Sequence, residues 1–425
     1  MGEHTLETAA VLERVRELPG GRELIDLART HPGVALVGGA VRDLALGRTP
    51  RELDVVVEAA PSPHSPALRI ARELAARLER AGTTEHGRFG TALVSWDGAR
   101  VDVAGARSER YEQPGALPQV QPTTLDEDLL RRDFTVNAIA LTLDPTQPAQ
   151  VHAPPGALAD LQAGRLRVIH DASFLDDPTR LLRLARYTAR LGFQIEPHTA
   201  ALAAQAIAAG ALETVSGARI GAELRLAIGE PGALDALAAM AELGLLAALH
   251  PRLRVDRGAI ERSLALLPAD DGRPDLLTMA ALTLPLALRA DDARAELFTL
   301  LDRLAFPAPE RNRIAASAAA APRLVEELPA AARPSQLRAA LAGVPVEGIA
   351  LAGGLSRPAA EPAGRWLTHL RDVRLSITGE DLLAAGLPEG PELGRRLRAT
   401  LDRKLDGELA DTPAAELAAA LEARA

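Results

Sequence analysis

Residues 34–58, VALVGGAVRDLALGRTPRELDVVVE, read as a strand, a double glycine, a short helix and a second strand. Side chains at i and i+2 of a strand share a face, so Glu52 and Asp54 are expected to project together from a rigid β element beside a glycine turn. Gly38 and Gly39 fall where strand passes into helix. There, backbone amides can approach an anion without Cβ interference, and the helix N-terminus favours negative charge. Arg42 is expected either to point at the same place or to pair with Asp43. Two carboxylates beside such a turn are one way to hold a divalent metal next to a phosphate.

Working outward, residues 5–29 are expected to be helical with a break at Pro19, Gly20 and Gly21. Residues 65–81, SPALRIARELAARLERA, begin with a serine cap and repeat Leu68, Ala71, Leu74 and Leu78 at helical spacing. Thr91–Ser95 and Arg100–Val103 flank Asp97-Gly98, a hairpin signal that puts Asp102 on the second strand. Residues 106–125 are expected to be a loop, followed by a helix and a strand near Val136–Leu141. After the prolines at 145, 148, 154 and 155 the chain is dominated by Ala, Leu, Arg and Glu at helical periods, with soft boundaries near 145, 230 and 345.

The 425 residues are enough for roughly three domains, and 47% hydrophobic content supplies buried cores. The absence of cysteine excludes disulfides, thiolate metal sites and cysteine nucleophiles, and suits a reducing cytoplasm, the expected location. The acidic start MGEHTLETAAVLERV is not expected to be a secretory signal. The apolar run Leu276–Leu288 is short of a membrane span and contains Pro285, so a soluble protein with no membrane partner is expected. A net charge of −9 argues against nucleic-acid binding over the whole surface but leaves room for a local basic groove. With ten aromatic residues, a stacking platform for single strands is not expected, and any nucleic acid would be held through phosphates and shape.

Four motifs follow one another in order: GGAVRD (38–43), ELD (52–54), RRDFTVNAIA (131–140) and DDPTRLLRLARYTARLGF (176–193). With HGRFGTALV, VDVAGARSERY, VSGARIGAEL and the late ITGEDLLAAGLPEGPELGRRL, the chain resembles the class II tRNA nucleotidyltransferases. These are the bacterial CCA-adding and poly(A) polymerase family within the polymerase β superfamily. The resemblance covers most of the chain and is densest over residues 34–226. It implies an α+β fold, with a polymerase-β-like head of small mixed sheet and helices followed by all-α neck, body and tail. The expected ranges are 1–145, 146–230, 231–345 and 346–425.

The resemblance also implies roles. Glu52, Asp54 and Asp102 would be catalytic metal ligands for two Mg²⁺ ions, with Glu52 standing where the family carries aspartate. Gly38, Gly39, Arg42, Arg131, Arg132, Arg183 and Arg186 would meet the incoming triphosphate. Asp177 and Arg180 would read the base: a carboxylate accepts from the exocyclic amine shared by cytosine and adenine, and a guanidinium donates to their ring acceptors. Without the family, Asp177-Pro178 reads as a helix start and the RRD triplet as a salt bridge involving Asp133. His170-Asp171 is assigned to the linker. Ala218 stands where relatives commonly carry glutamate, and Arg395–Lys404 is either a phosphate grip or an exposed basic helix.

The expected activity is template-independent addition of C, A or both to the tRNA 3′ end from CTP and ATP, with the acceptor arm as partner. A CC-only or A-only enzyme of a split pair, a poly(A) polymerase and a noncatalytic RNA-binding relative remain as alternatives.

Overall fold

The computed structural model describes residues 7–58, 65–86, 90–288 and 293–423, and divides into two compact units. The first comprises Met1–Glu223 with Glu242–Ala248, the second Leu224–Ala241 with Leu249–Ala425. Residues 5 and 6 of the expected first helix, and 87–89 of HGRFGTALV, lie outside the described residues.

In the first unit the break at Pro19–Gly21 separates α1 (Thr8–Glu17) from α2 (Gly21–Ala28). Next come β1 (Val34–Val37), α3 (Gly39–Ala45), β2 (Leu53–Val57) and α4 (Pro66–Arg77). Ser65 occupies the N-cap position of α4 but makes no side-chain cap. β3 (Gly82–His86), β4 (Thr91–Trp96) and β5 (Ala99–Gly105) follow. The β4–β5 turn holds Asp97 at φ 40° and Gly98 at φ 81°, the two positive angles that a two-residue hairpin of the favoured twist requires.

The 106–125 stretch is not a loop throughout, contrary to expectation. β6 (Arg107–Arg110) and β7 (Gln119–Pro122) form a separate two-stranded ladder. β6 is wholly polar and no residue of either strand is fully buried, so only Val120 and Pro122 of the short β7 hint at a strand, and Pro122 sits at the end of the ladder. After α5 (Leu125–Leu130), a 3-10 turn takes up Thr135–Asn137, so the expected strand begins only at β8 (Ala140–Thr142).

The seven-stranded sheet has the order β3-β4-β5-β2-β1-β8-β9, where β9 is Val151–His152. Residue 145 therefore falls within the sheet's last connection, because the chain returns across the Pro-rich link to pair with β8. β1 is flanked on both sides and wholly buried, which explains its unbroken apolar run. Its Ala35 and Val37 join Val56, Leu125 and Leu129 in a core cluster with α5, while α4 packs against β4 and β5. β2 and β5 run parallel, Leu53 against Val101 through Val57 against Gly105, whereas the other pairings of this sheet are antiparallel. The sheet is thus mixed, as expected.

Helices α6 (Ala157–Ala163), α7 (Ser173–Asp176), α8 (Thr179–Leu191), α9 (Pro197–Ala208) and α10 (Gly217–Ile228) follow, with the short parallel pair β10 (Arg165–Leu166) and β11 (Gln194–Ile195). Pro178 takes the N-cap position of α8, one residue later than the sequence context suggests, and Asp177 just before it accepts the Thr179 amide on Oδ1 at 3.0 Å.

From α11 (Ala233–Glu242) onward the chain is helical: α12 (Leu245–Leu249), α13 (Arg257–Leu266), α14 (Pro274–Ala287), α15 (Ala293–Arg303) and α16 (Ala308–Ala330). Then come α17 (Pro334–Ala340), α18 (Val346–Leu355), α19 (Arg357–Arg365), a π-helical turn over Trp366–Leu370, α20 (Gly379–Ala384), α21 (Pro391–Leu405) and α22 (Pro413–Glu422). In the second unit α18 lies against α13, α16 and α19. Gly354 allows the α13–α18 approach, since a Cβ there would stand 1.9 Å from Ser263 Oγ. The basic run on α21 is largely neutralised within the unit. Arg395 and Arg396 bind Glu392, Lys404 binds Glu416, and Arg403 faces Glu408. Among the described residues no helix is long and apolar enough to cross a membrane.

Candidate active site

Gly38 ends β1 at φ 69° and ψ −130°, a conformation open to glycine, and its amide bonds the Ile139 carbonyl at 2.9 Å. A side chain there would meet Arg132 Nη1 at 3.0 Å, so the missing Cβ leaves room for a guanidinium over the turn. Around this turn lies a cleft of about 380 Å³ within the first unit. Its lining includes Gly38, Gly39, Arg42, Glu52, Asp54, Arg131, Arg132, Asp177, Arg180 and Arg183, ten of the twelve residues expected at the site.

The other two do not line it. Asp102 is opposite Asp54 in the parallel β2–β5 register. Arg186 is 5% exposed, and its Nη2 donates to Glu223 Oε2 at 2.9 Å. Its partner Glu223 lines the cleft, so Arg186 stands one side chain removed from it.

Glu52 and Asp54 both face the cleft, as the i, i+2 argument expects, although Glu52 precedes the first residue of β2. Glu52 is ion-paired with Arg100. Asp54 is pushed up to about 6 by burial and by Asp102, against the opposing pull of Arg132, Arg42 and Arg183. Burial also raises Asp102, with Arg100 and His86 opposing. The expected cluster of three acidic ligands does not form: among the described residues no three acidic or histidine side chains are gathered for a metal ion. Arg100 holds Glu52 in an ion pair, which accounts for its absence from such a cluster. The Asp54–Asp102 pair nevertheless fits a divalent cation, because burial makes both carboxylates resist ionisation, Asp102 adds to that resistance at Asp54, and a hard cation relieves it.

The cleft's arginines are braced from below. Arg42, 1% exposed, donates from Nε to Asp43 Oδ1 at 2.8 Å and also binds Asn137 Oδ1. Arg131 reaches Asp128 at 2.8 Å and Glu109 at 2.8 Å, and Arg132 reaches Asp128 at 3.0 Å. The RRD triplet therefore pairs with Asp128, one helical turn back, rather than with Asp133. Asp133 instead accepts from Arg183 Nε at 2.8 Å. Burial works to raise Asp133, but Arg183 and Asn137 outweigh it and hold the carboxyl at about 2. The Tyr187 ring, edge-on to Phe134, lies 5.5 Å from the Arg42 guanidinium, 5.6 Å from Arg183 and 4.9 Å from Arg186. These contacts hold planar cations in fixed orientations, the condition for paired bonds to phosphate oxygens.

At the α7–α8 end, Asp177 and Arg180 come together in the same cleft. Arg180 donates to Ser173 Oγ at 3.1 Å and to the Arg131 carbonyl at 2.7 Å. The residues missed from sequence are mostly these braces, Glu109, Asp128, Asn137, Tyr187 and Glu223, while Asp133 was expected to pair but with a different arginine. Their signal was adjacency, since Asp133 and Asn137 lie four apart inside RRDFTVNAIA, but their partners are long-range.

Comparison with known proteins bears on this geometry. Residues 34–167 match the family described as Poly A polymerase head domain, and residues 192–256 the one described as Probable RNA and SrmB-binding site of polymerase A. An A-adding tRNA nucleotidyltransferase of Geobacter sulfurreducens is 33% identical over 89% of this chain and 44% of its own. A CC-adding tRNA nucleotidyltransferase of Deinococcus radiodurans is 40% identical over 47% of this chain and 50% of its own. The chain thus spans about half the length, or less, of these curated relatives. A solved CCA-adding enzyme, apo form II, aligns with a TM-score of 0.79 and 31% identity over 98% of this chain and 97% of that one. The two matched domains and this near full-length likeness establish that the chain belongs to the class II tRNA nucleotidyltransferase family.

Proposed function

We propose that this protein adds C, A or both to the 3′ end of tRNA without a nucleic-acid template, taking CTP and ATP as donors and releasing pyrophosphate. The observation that carries the reading is the joining, in one cleft, of Gly38, Gly39 and the braced arginines with Asp54 and the Asp177–Arg180 pair. Arg42, Arg131, Arg132 and Arg183 bind the triphosphate oxygens, and the Gly38–Gly39 turn lets backbone approach them. Asp177 and Arg180 face the Watson–Crick edge of the base. The tRNA 3′-hydroxyl attacks the α-phosphorus. Asp54, ionised at neutral pH yet more basic than an ordinary carboxylate, is suited to assist loss of the hydroxyl proton.

Asp54 and Asp102, with Glu52 once it leaves Arg100, are the residues that would hold Mg²⁺, which when bound neutralises charge on the phosphates. We assign chemistry to the head (1–145), base reading to the neck (146–230), and tRNA holding by shape and backbone to the body (231–345) and tail (346–425). The cysteine-free composition suits a cytoplasmic setting.

The test offers tRNA ending before CCA, after one C and after both, with CTP, ATP or both plus Mg²⁺. Extension of the first substrate to full CCA supports a complete enzyme. Extension only by C, or only of the CC-ended substrate by A, identifies a split activity like those named for the relatives. No extension of any of them defeats the proposal.

A further inference from the structure

Asp177 presents its two carboxylate oxygens unequally. Oδ1 accepts three donors: the Thr179 amide at 3.0 Å, the Thr179 hydroxyl at 2.6 Å and Arg219 Nη2 at 2.8 Å. Oδ2 makes no hydrogen bond among those of the described residues. The second amino group of the same guanidinium, Nη1, donates to the Gly115 carbonyl at 3.0 Å, 104 residues away in sequence. Gly115 is itself seated tightly. Its amide bonds the Leu175 carbonyl at 3.1 Å, its φ is +72°, and a Cβ on it would stand 2.4 Å from Thr214 Oγ1 and 2.6 Å from the Thr214 carbonyl. Arg219 therefore spans the β6–β7 connection and the head of α8.

Helix stability does not account for an arginine here. Arg219 lies in the first turn of α10, where a cation opposes the helix dipole. Its two charge-assisted bonds offset that penalty and saturate one oxygen of Asp177.

We infer that Arg219 is a positioning residue for base selection: it locks Asp177 so that Oδ2 alone is offered to the base, and it ties that lock to the docking of Gly115. A single fixed acceptor suits the exocyclic amine of cytosine or adenine and repels the carbonyl that uracil and guanine present there. A carboxylate free to rotate would offer either oxygen from several directions and discriminate less. This inference rests on the assignment of Asp177 as the base reader.

The experiment measures kcat and KM for CTP and ATP, and misincorporation of UTP and GTP, in R219Q, G115A, their double variant and D177N, with melting temperatures as a folding control. R219Q is expected to raise KM for the preferred nucleotide about tenfold with kcat within about threefold, and to lower selectivity against UTP about tenfold, the loss of one charge-assisted bond. G115A should move the same quantities in the same direction, and the double variant should be no worse than R219Q, since both break one link. If D177N loses selectivity while R219Q keeps it, the inference is overturned and the base-reading assignment stands. If R219Q lowers only kcat together with melting temperature, its role is structural and the inference is likewise overturned. If D177N keeps wild-type selectivity, the base-reading assignment itself fails.

Discussion

Asp54 and Asp102 face each other across two parallel strands, in direct register, with Asp54 raised to about 6 by burial and by its neighbour. The folded-state pKa lies above the ordinary value of 3.8, so the folded protein holds this proton more tightly than the unfolded chain. Stability is therefore lost as pH rises from about 4 to about 6, to a limit of about 3 kcal/mol. Asp54→Asn is expected to make the metal-free protein more stable by about 1–3 kcal/mol at pH 7.5 and to change little at pH 4. Nucleotide incorporation should be lost while tRNA binding persists. Urea unfolding at the two pH values, with a gel-based extension assay, checks both. Equal stability of the two proteins at pH 7.5 would show that burial and Asp102 do not raise the Asp54 carboxyl.

The opposite sign applies to Asp133, held at about 2 by Arg183 and Asn137 despite its burial. Its contribution is fully present above the unfolded value near 4 and disappears as pH falls through about 2. Asp133→Asn should cost about 2 kcal/mol at pH 7, and the difference from wild type should shrink progressively below pH 4. It also releases Arg183, so KM for the nucleotide should rise. A variant with unchanged unfolding free energy at pH 7 contradicts this bracing role.

The fold was readable where local chemistry and burial agree. The all-apolar β1, the Asp97-Gly98 turn and the Pro19–Gly21 break each announce themselves within a few residues. The β6–β7 ladder was not, because Ser108, Glu109 and Arg110 carry no alternating apolar signal and are held by pairing, not by burial of a hydrophobic face. In the candidate site, the ordered motifs supply residues that the fold brings to one cleft, but the partners of those residues were not legible. RRD suggests a local pair with Asp133, whereas the fold sends Asp133 to Arg183, fifty positions on, and leaves Asp128 to take both arginines. Spacing predicts faces; it does not predict which of several acids a guanidinium finds across a cleft.

Gly38→Ala isolates the turn. The backbone at φ 69° and ψ −130° disfavours any Cβ, and the added methyl would stand 3.0 Å from Arg132 Nη1 and 3.4 Å from the Asn137 carbonyl. A loss of about 1–3 kcal/mol is expected from the backbone strain. KM for CTP and ATP should rise because Arg132 is displaced from above the turn. Calorimetry and steady-state kinetics read the two effects separately, and wild-type KM in a destabilised variant would detach Arg132 from the triphosphate.

Glu52 and Arg100 supply the sharpest test of the metal assignment. Arg100 forms an ion pair with Glu52 and also lies close enough to Asp102 to oppose the rise of its pKa. If Glu52 is to bind a cation it must leave Arg100, so the guanidinium and the cation compete for one carboxylate. Removing the competitor in Arg100→Ala should lower the Mg²⁺ concentration that gives half-maximal incorporation by severalfold, since an exposed pair of this kind is worth up to about 1 kcal/mol. Glu52→Ala should raise that concentration, and Arg100→Ala should lower it less in the Glu52→Ala background than in the wild type, because only the influence of Arg100 on Asp102 then remains. Should Arg100→Ala and Glu52→Ala both leave the Mg²⁺ dependence unchanged, the glutamate is a surface partner of Arg100 and the cation is held by Asp54 and Asp102 without it.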